Sequence, residues 1–184
     1  MFSWQKDECD DPAEDSSPMT VTSMIIRDHV PADWTQICRV HDAARVQELA
    51  AGAVDPRAFR PMVDVAERDG FFASQTLVAC DGVAVVGFIS WRGAYITWLY
   101  VEPCRQRRGV GRRLLDNALR QIGPDAWTNM IAGNEPARAL YCAVGMEVVW
   151  TRPGDCEGYP CNAMRLALPT SPMRDPAAKR QPRA

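Results

Sequence analysis

The sequence predicts a mixed α/β domain in which a mostly antiparallel central sheet carries helices on both faces. Three observations carry that reading. Short apolar runs of strand length alternate with stretches of helical periodicity between residues 21 and 168. Asp81-Gly82 joins two such runs and is the strongest hairpin signal in the chain. An apolar strand, Tyr95–Val101, then leads through a basic turn with two glycines into an amphipathic helix.

The elements follow in order. Val21–Arg27 predicts a short strand. Asp33 is placed to cap a helix from Trp34 to about Ala50, which Gly52 stops. Asp55-Pro56 opens a second helical stretch, and Pro61 should break or kink it. Thr76–Cys80 and Val83–Trp91 form the hairpin, and Gly93 turns the chain into Tyr95–Val101. The helix after Gly109 buries Val110, Leu114, Leu115, Ala118, Leu119 and Ile122, with Arg112, Arg113, Asp116 and Arg120 facing out. Trp127–Ala132 is the next strand and Pro136–Val144 the next helix, ended by Gly145. Glu147–Arg152 and Asn162–Leu168 close the domain as an antiparallel pair.

Residues 1–20 carry six acidic side chains and two prolines with little to bury, which predicts a disordered acidic tail. Residues 169–184, rich in proline and basic side chains, read as a second disordered tail. At 184 residues, 47% apolar and 24% charged, the chain has the make-up of one globular domain. A net charge of −2 argues against sequence-independent nucleic-acid binding. No apolar run approaches the roughly 20 residues of a membrane span, and the acidic N-terminus is unlike a signal peptide. The seven cysteines are scattered without zinc spacing, so no metal is expected and a reduced, cytoplasmic setting is the simplest account. Cys38, Cys80 and Cys142 sit in apolar patterns and read as buried.

The chemistry lies in the turn after Val101. Gly109 and Gly111 have no Cβ, so a ligand can approach their backbone. The first amides of the following helix lack intrahelical partners, and the helix dipole makes that end positive. Together they form an anion site suited to phosphate, and Arg105, Arg107, Arg108, Arg112 and Arg113 add five cations. A solvated basic face would also account for the arginines. The fingerprint of a dinucleotide site and the lysine of a P-loop are both missing.

Gln106-x-x-Gly109-x-Gly111 resembles the acyl-CoA signature of the GNAT superfamily of N-acetyltransferases. Asn134-x-x-Ala137-x-x-x-Tyr141-x-x-x-Gly145-Met146 is similar to that family's second motif. The likeness covers roughly residues 21–168. It implies the GNAT fold, acetyl-CoA as co-substrate, and a pantetheine arm lying between the strand of Leu99, Tyr100 and Val101 and the strand of Trp127–Ala132. It implies pyrophosphate on the turn from Gln106 through Arg107, Arg108, Gly109, Val110 and Gly111 to Arg112. Asn134, Ala137, Arg138 and Tyr141 would complete the donor site, with Tyr141 the general acid for the leaving thiolate. A packed aromatic is the plainer account of Tyr141.

Many relatives hold a glutamate upstream of the first motif, where this chain has Tyr95, Ile96, Thr97 and Trp98; the base stays unassigned. The acceptor end should come from the first two helices and the last hairpin. His41, Arg45 and Glu48 share one face of the first helix and are the candidate acceptor-binding residues. A solvated face with an ion pair explains them equally. Pro153–Pro160 is expected to be a loop bordering the same pocket, with Asp155 and Glu157 able to attract a cationic amine.

The resemblance implies direct acetyl transfer to a primary amine of an unidentified acceptor, a small molecule before a protein N-terminus, and no Ser or Cys is paired with a base to suggest a covalent enzyme stage. Homodimers are common in the superfamily. A non-catalytic acyl-CoA sensor, an acetyltransferase acting on aminoacyl-tRNA, and an unrelated phosphate-binding domain are the alternatives.

Overall fold

The computed structural model describes residues 24–178; the acidic stretch 1–20 and residues 179–184 lie outside them. Seven strands form one sheet in the order β1-β2-β3-β4-β5-β7-β6. These are β1 Ile25–Asp28, β2 Gln75–Asp81, β3 Ala84–Arg92, β4 Tyr95–Val101, β5 Trp127–Ile131, β6 Glu147–Cys156 and β7 Tyr159–Ala167. The helices are α1 Trp34–Ala51, α2 Met62–Val65, α3 Val110–Ile122 and α4 Glu135–Cys142.

Alternating strand residues divide the core into two layers. On one face Val78, Phe88 and Trp98 pack with Ile37 and Val40 of α1 and Met62 of α2. On the other Leu77, Ile89 and Ile96 pack with Leu114 and Leu115 of α3 and Tyr141 of α4. Every strand pair is antiparallel except β4 with β5, which are parallel. That pair touches only at Tyr95↔Trp127 and Ile96↔Thr128 before the strands diverge. The split in the middle of the sheet is the feature that places the site.

Several boundaries move from their expected places. Asp33 does not cap α1 with its side chain: it ends a 3-10 turn, accepts from the Val30 amide at 2.8 Å and pairs with Arg27 at 2.7 Å. The second helical stretch is a 3-10 turn, Pro56–Ala58, followed by α2, because Pro61 interrupts the run. The hairpin turn lies one residue later than expected, since Asp81 pairs with Ala84. Pro153–Pro160 is not a loop: β6 and β7 pair as far as Cys156↔Tyr159.

Residues 169–178 are not a disordered tail. A 3-10 turn, Pro172–Arg174, follows β7, and Thr170 and Ser171 donate their hydroxyls to the carbonyls of Pro124 and Asp125, both at 2.7 Å. Those carbonyls precede β5 and need donors, which a proline-rich but hydroxyl-bearing segment supplies. Cys38 is half-buried and Cys80 buried, whereas Cys142 is exposed, because it sits one residue beyond the inward-facing Tyr141 on a short helix. No helix among the described residues is long and apolar enough to cross a membrane.

Candidate active site

Where β4 leaves β5, two cavities meet. The larger, of about 500 Å³, lies between the C-terminal half of β4, the turn before α3, and α4. The smaller, of about 310 Å³, lies between α1, the segment around α2 and the tip of the β6–β7 hairpin. Glu48, Thr97, Trp98, Tyr100, Asn129 and Met130 line both, so the two volumes share a wall at the split.

Local sequence builds the larger cavity. Gly109 has φ +80°, where an L side chain is strained, and a Cβ there would point into open space. Gly111 serves a different end. A Cβ there would stand 3.2 Å from Leu140 and 3.6 Å from Val101, so its absence lets α3 approach α4 and β4. The first intrahelical bond of α3 runs from the Arg113 amide to Gly109 at 3.0 Å, so the amides before it have no intrahelical partner. Asn134 caps α4, accepting from the Ala137 amide at 3.3 Å.

Of the residues expected at the donor site, Leu99, Tyr100, Val101, Gln106, Arg107, Gly109, Gly111, Arg112, Asn134, Ala137 and Tyr141 border this cavity. Arg108, Val110 and Arg138 do not. Val110 is buried in the core beneath α3, Arg138 pairs with Glu135 at 2.6 Å, and Arg108 is exposed on the turn. The five expected cations also divide. Arg105 pairs with Asp81 at 2.9 Å, Arg113 donates to the Met24 carbonyl at 2.7 Å, and Arg112 pairs with Asp116 at 2.9 Å. Arg107, with φ +61°, is the turn arginine that borders the cavity without such a tie. Gln106 holds the turn shut by donating to the Val101 carbonyl and to Gln47, both at 3.1 Å.

Tyr141 is buried against the core, and burial pushes its phenol up from the ordinary value while Thr128 pulls it the other way. It is therefore a neutral proton donor at physiological pH.

Distant segments build the smaller cavity. His41, Arg45 and Glu48 do come together on it, joined by Asp155, Cys156 and Glu157 from the hairpin. Arg45 donates to Glu48 Oε2 at 2.6 Å and to Cys156 Sγ at 2.9 Å. Tyr100 donates its hydroxyl to the same Glu48 oxygen at 2.7 Å. Burial opposes the Arg45 charge, but Tyr100 and Glu48 hold the guanidinium protonated. His41 is 3% exposed, meets Asp42 Oδ1 through Nδ1 at 2.8 Å, and packs edge-on against Tyr100. Burial lowers its pKa despite Asp42 and keeps the ring neutral. Burial likewise raises the Cys156 thiol, against the pull of Arg45, so it stays protonated. Arg68 reaches Glu157 at 3.0 Å, tying the segment after α2 to the hairpin tip.

Glu102, the carboxylate nearest the first motif, faces α1 and pairs with Arg39. Trp98 and Asn129 carry no local signal as cavity residues, since each reads as an ordinary strand position. Tyr100 belongs to the expected donor side, yet its side chain also reaches the acceptor side.

A split sheet beside a glycine turn that presents backbone amides is the arrangement of an acyl-CoA N-acyltransferase. Residues 72–147 match the family model of the GNAT acetyltransferase domain, so that stretch is similar to that family. Among curated relatives, mycothiol acetyltransferase of Mycolicibacterium vanbaalenii is 29% identical over 123 residues, covering 64% of this chain and 41% of that one. Peptidyl-lysine N-acetyltransferase YjaB of Escherichia coli is 34% identical over 82 residues, covering 45% of this chain and 55% of that one. The chain thus spans about half the length of these relatives. Among solved structures, the acetyltransferase yncA of Salmonella typhimurium, determined with its cofactor acetyl-CoA, superposes with TM-score 0.57 at 24% identity, covering 84% of this chain and 99% of that one. The fold is that of the GNAT acetyltransferases.

Proposed function

We propose that this protein transfers an acetyl group from acetyl-CoA to the primary amine of a small molecule, by direct attack of the amine on the thioester. The observation that carries this is the pair of cavities sharing one wall at the sheet split. A donor lying along β4 and an acceptor held under the hairpin would meet there, and bringing the two together supplies much of the rate.

The chain's own groups fit the donor. The β4 edge facing β5 is unpaired beyond Ile96, offering backbone groups to an extended amide-bearing arm. The turn amides and Arg107 suit a pyrophosphate. When bound, acetyl-CoA supplies an activated acyl carbon. Tyr141 borders the donor cavity and would give its proton to the departing sulfur. The protonated Cys156 argues against a covalent acyl-cysteine stage.

The acceptor cavity, of about 310 Å³ and bordered by Glu157 of the hairpin tip, has the size of a small-molecule pocket, which favours a small molecule over a protein surface. Its carboxylates Asp155 and Glu157 would attract a cationic amine. The net charge of −2 does not favour an aminoacyl-tRNA acceptor. A non-catalytic acyl-CoA sensor draws support from the absence of a carboxylate on β4.

The melting temperature with and without acetyl-CoA tests the donor half. Ligand at 100 times its dissociation constant should add about 2.7 kcal/mol, or several degrees for a domain of this size. No shift at millimolar ligand would remove the acyltransferase reading. A shift without CoA release in the presence of small primary amines would favour the sensor.

A further inference from the structure

At neutral pH an alkylamine arrives as an ammonium ion, and it must lose a proton before nitrogen can attack. No residue of β4 supplies a carboxylate to accept that proton, because Tyr95, Ile96, Thr97 and Trp98 stand where one would be needed. Glu102 at the end of the strand is turned away and paired with Arg39. The proton acceptor must therefore come from another element.

Of the described residues lining both cavities, Glu48 of α1 is the only carboxylate. Its placement is fixed. Arg45 at 2.6 Å and the Tyr100 hydroxyl at 2.7 Å both bind Oε2, and no hydrogen bond from the described residues is made to Oε1. One oxygen is thus anchored and the other is left to receive a proton. Glu48 and Tyr141 both line the larger cavity, so the carboxylate and the candidate acid border one void. His41 is the competing base, with a neutral ring tied to Asp42, but it borders the acceptor cavity and not the shared wall.

We infer that Glu48, reaching from α1, takes the proton from the acceptor ammonium at the meeting point of the two cavities. This rests on the acetyl-transfer reading above. Glu48 Oε1 receives one proton from R–NH3⁺, directly or through a water. The freed nitrogen pair forms the C–N bond as the C–S bond breaks, and Tyr141 protonates the departing sulfur. The second proton lost by nitrogen restores the phenol through solvent, and Glu48 releases its own proton to solvent. The net change is one acetyl group moved, one thiol formed and one proton released. The charged and titratable groups around Glu48 are Arg45 and His41 on α1, Tyr100 on β4, Tyr141 on α4 and Cys156 on β6.

The test compares two probe amines of similar size, benzylamine, which is an ammonium near neutral pH, and aniline, which is not. In E48Q, kcat/KM for benzylamine should fall by about 10²-fold near neutral pH while the aniline rate changes little. The remaining benzylamine rate should climb with pH more steeply than in the wild type, tracking the neutral amine. The acetyl-CoA melting shift should be the same in both proteins, which shows that the variant is folded and the donor site intact. Equal losses for the two amines would make Glu48 a packing residue and overturn the inference, as would an undiminished benzylamine rate. The same split appearing in H41Q instead would move the role to His41. Absence of the acetyl-CoA shift in the wild type would reject the acetyl-transfer reading itself, a separate result.

Discussion

The two cavities are built by different means. The donor side is a set of backbone features close in sequence: a strand edge, a left-handed glycine, a helix start and an Asn cap, all within residues 95 to 141. The acceptor side is a set of side chains drawn from far apart, such as Arg45 and Cys156, which are 111 positions apart in sequence yet 2.9 Å apart in space. Backbone devices tolerate little change of residue type, so they leave a recognisable pattern. Side-chain assemblies have many solutions, which lets one scaffold take different amines.

The largest effect should come from the donor-side group proposed as the acid. Tyr141→Phe keeps the packing and removes the hydroxyl, so kcat should drop by about 10²-fold with the acetyl-CoA melting shift preserved. An unchanged kcat, read by thiol release, would reduce Tyr141 to a core aromatic and blur the division between the two sides.

On the acceptor side, Arg45→Met should raise KM for the amine and leave acetyl-CoA binding intact. It also strips Glu48 and Cys156 of their shared donor, so denaturant unfolding should show a loss of about 2 kcal/mol. If the variant instead lost its acetyl-CoA shift, the two cavities would be one cooperative unit.

A smaller effect concerns His41. Burial holds its folded-state pKa below the ordinary value of about 6.5, so the unfolded chain binds more protons in the window between them. Its contribution to stability is therefore complete above that ordinary value and is lost as pH falls through the folded one. Melting temperatures of wild type and H41Q should accordingly differ most at neutral pH and converge in acid. A gap that widens on acidification would mean that the imidazolium, paired with Asp42, is the stable form.

The order and type of elements were legible because each has a local cause. The apolar spacing of α3, the Asn134 cap and the strand–turn–helix run through Gly109 are written within a few residues of one another. The misread places share a different cause. Residues 153–160 read as a loop for their Pro, Gly and Asp, yet ladder pairing with β7 overrides those preferences. Residues 169–178 resemble a tail because nothing in them is apolar enough to demand burial, whereas the carbonyls they satisfy belong to Pro124 and Asp125. Asp33 has the form of a cap, but Arg27 and the Val30 amide claim its carboxylate.

By itself, then, the sequence determined the sheet-and-helix framework and the glycine turn into α3, since periodicity, capping and glycine placement act over one or two helical turns. It also placed His41, Arg45 and Glu48 on one helix face. Only the tertiary structure decided that this face closes onto the split between β4 and β5, that Arg45 and Tyr100 hold one oxygen of Glu48, and that this α1 carboxylate lines both cavities. Those contacts form between segments whose distance in the chain leaves no local trace, because they are selected by packing around a shared void and not by the conformation of any one stretch.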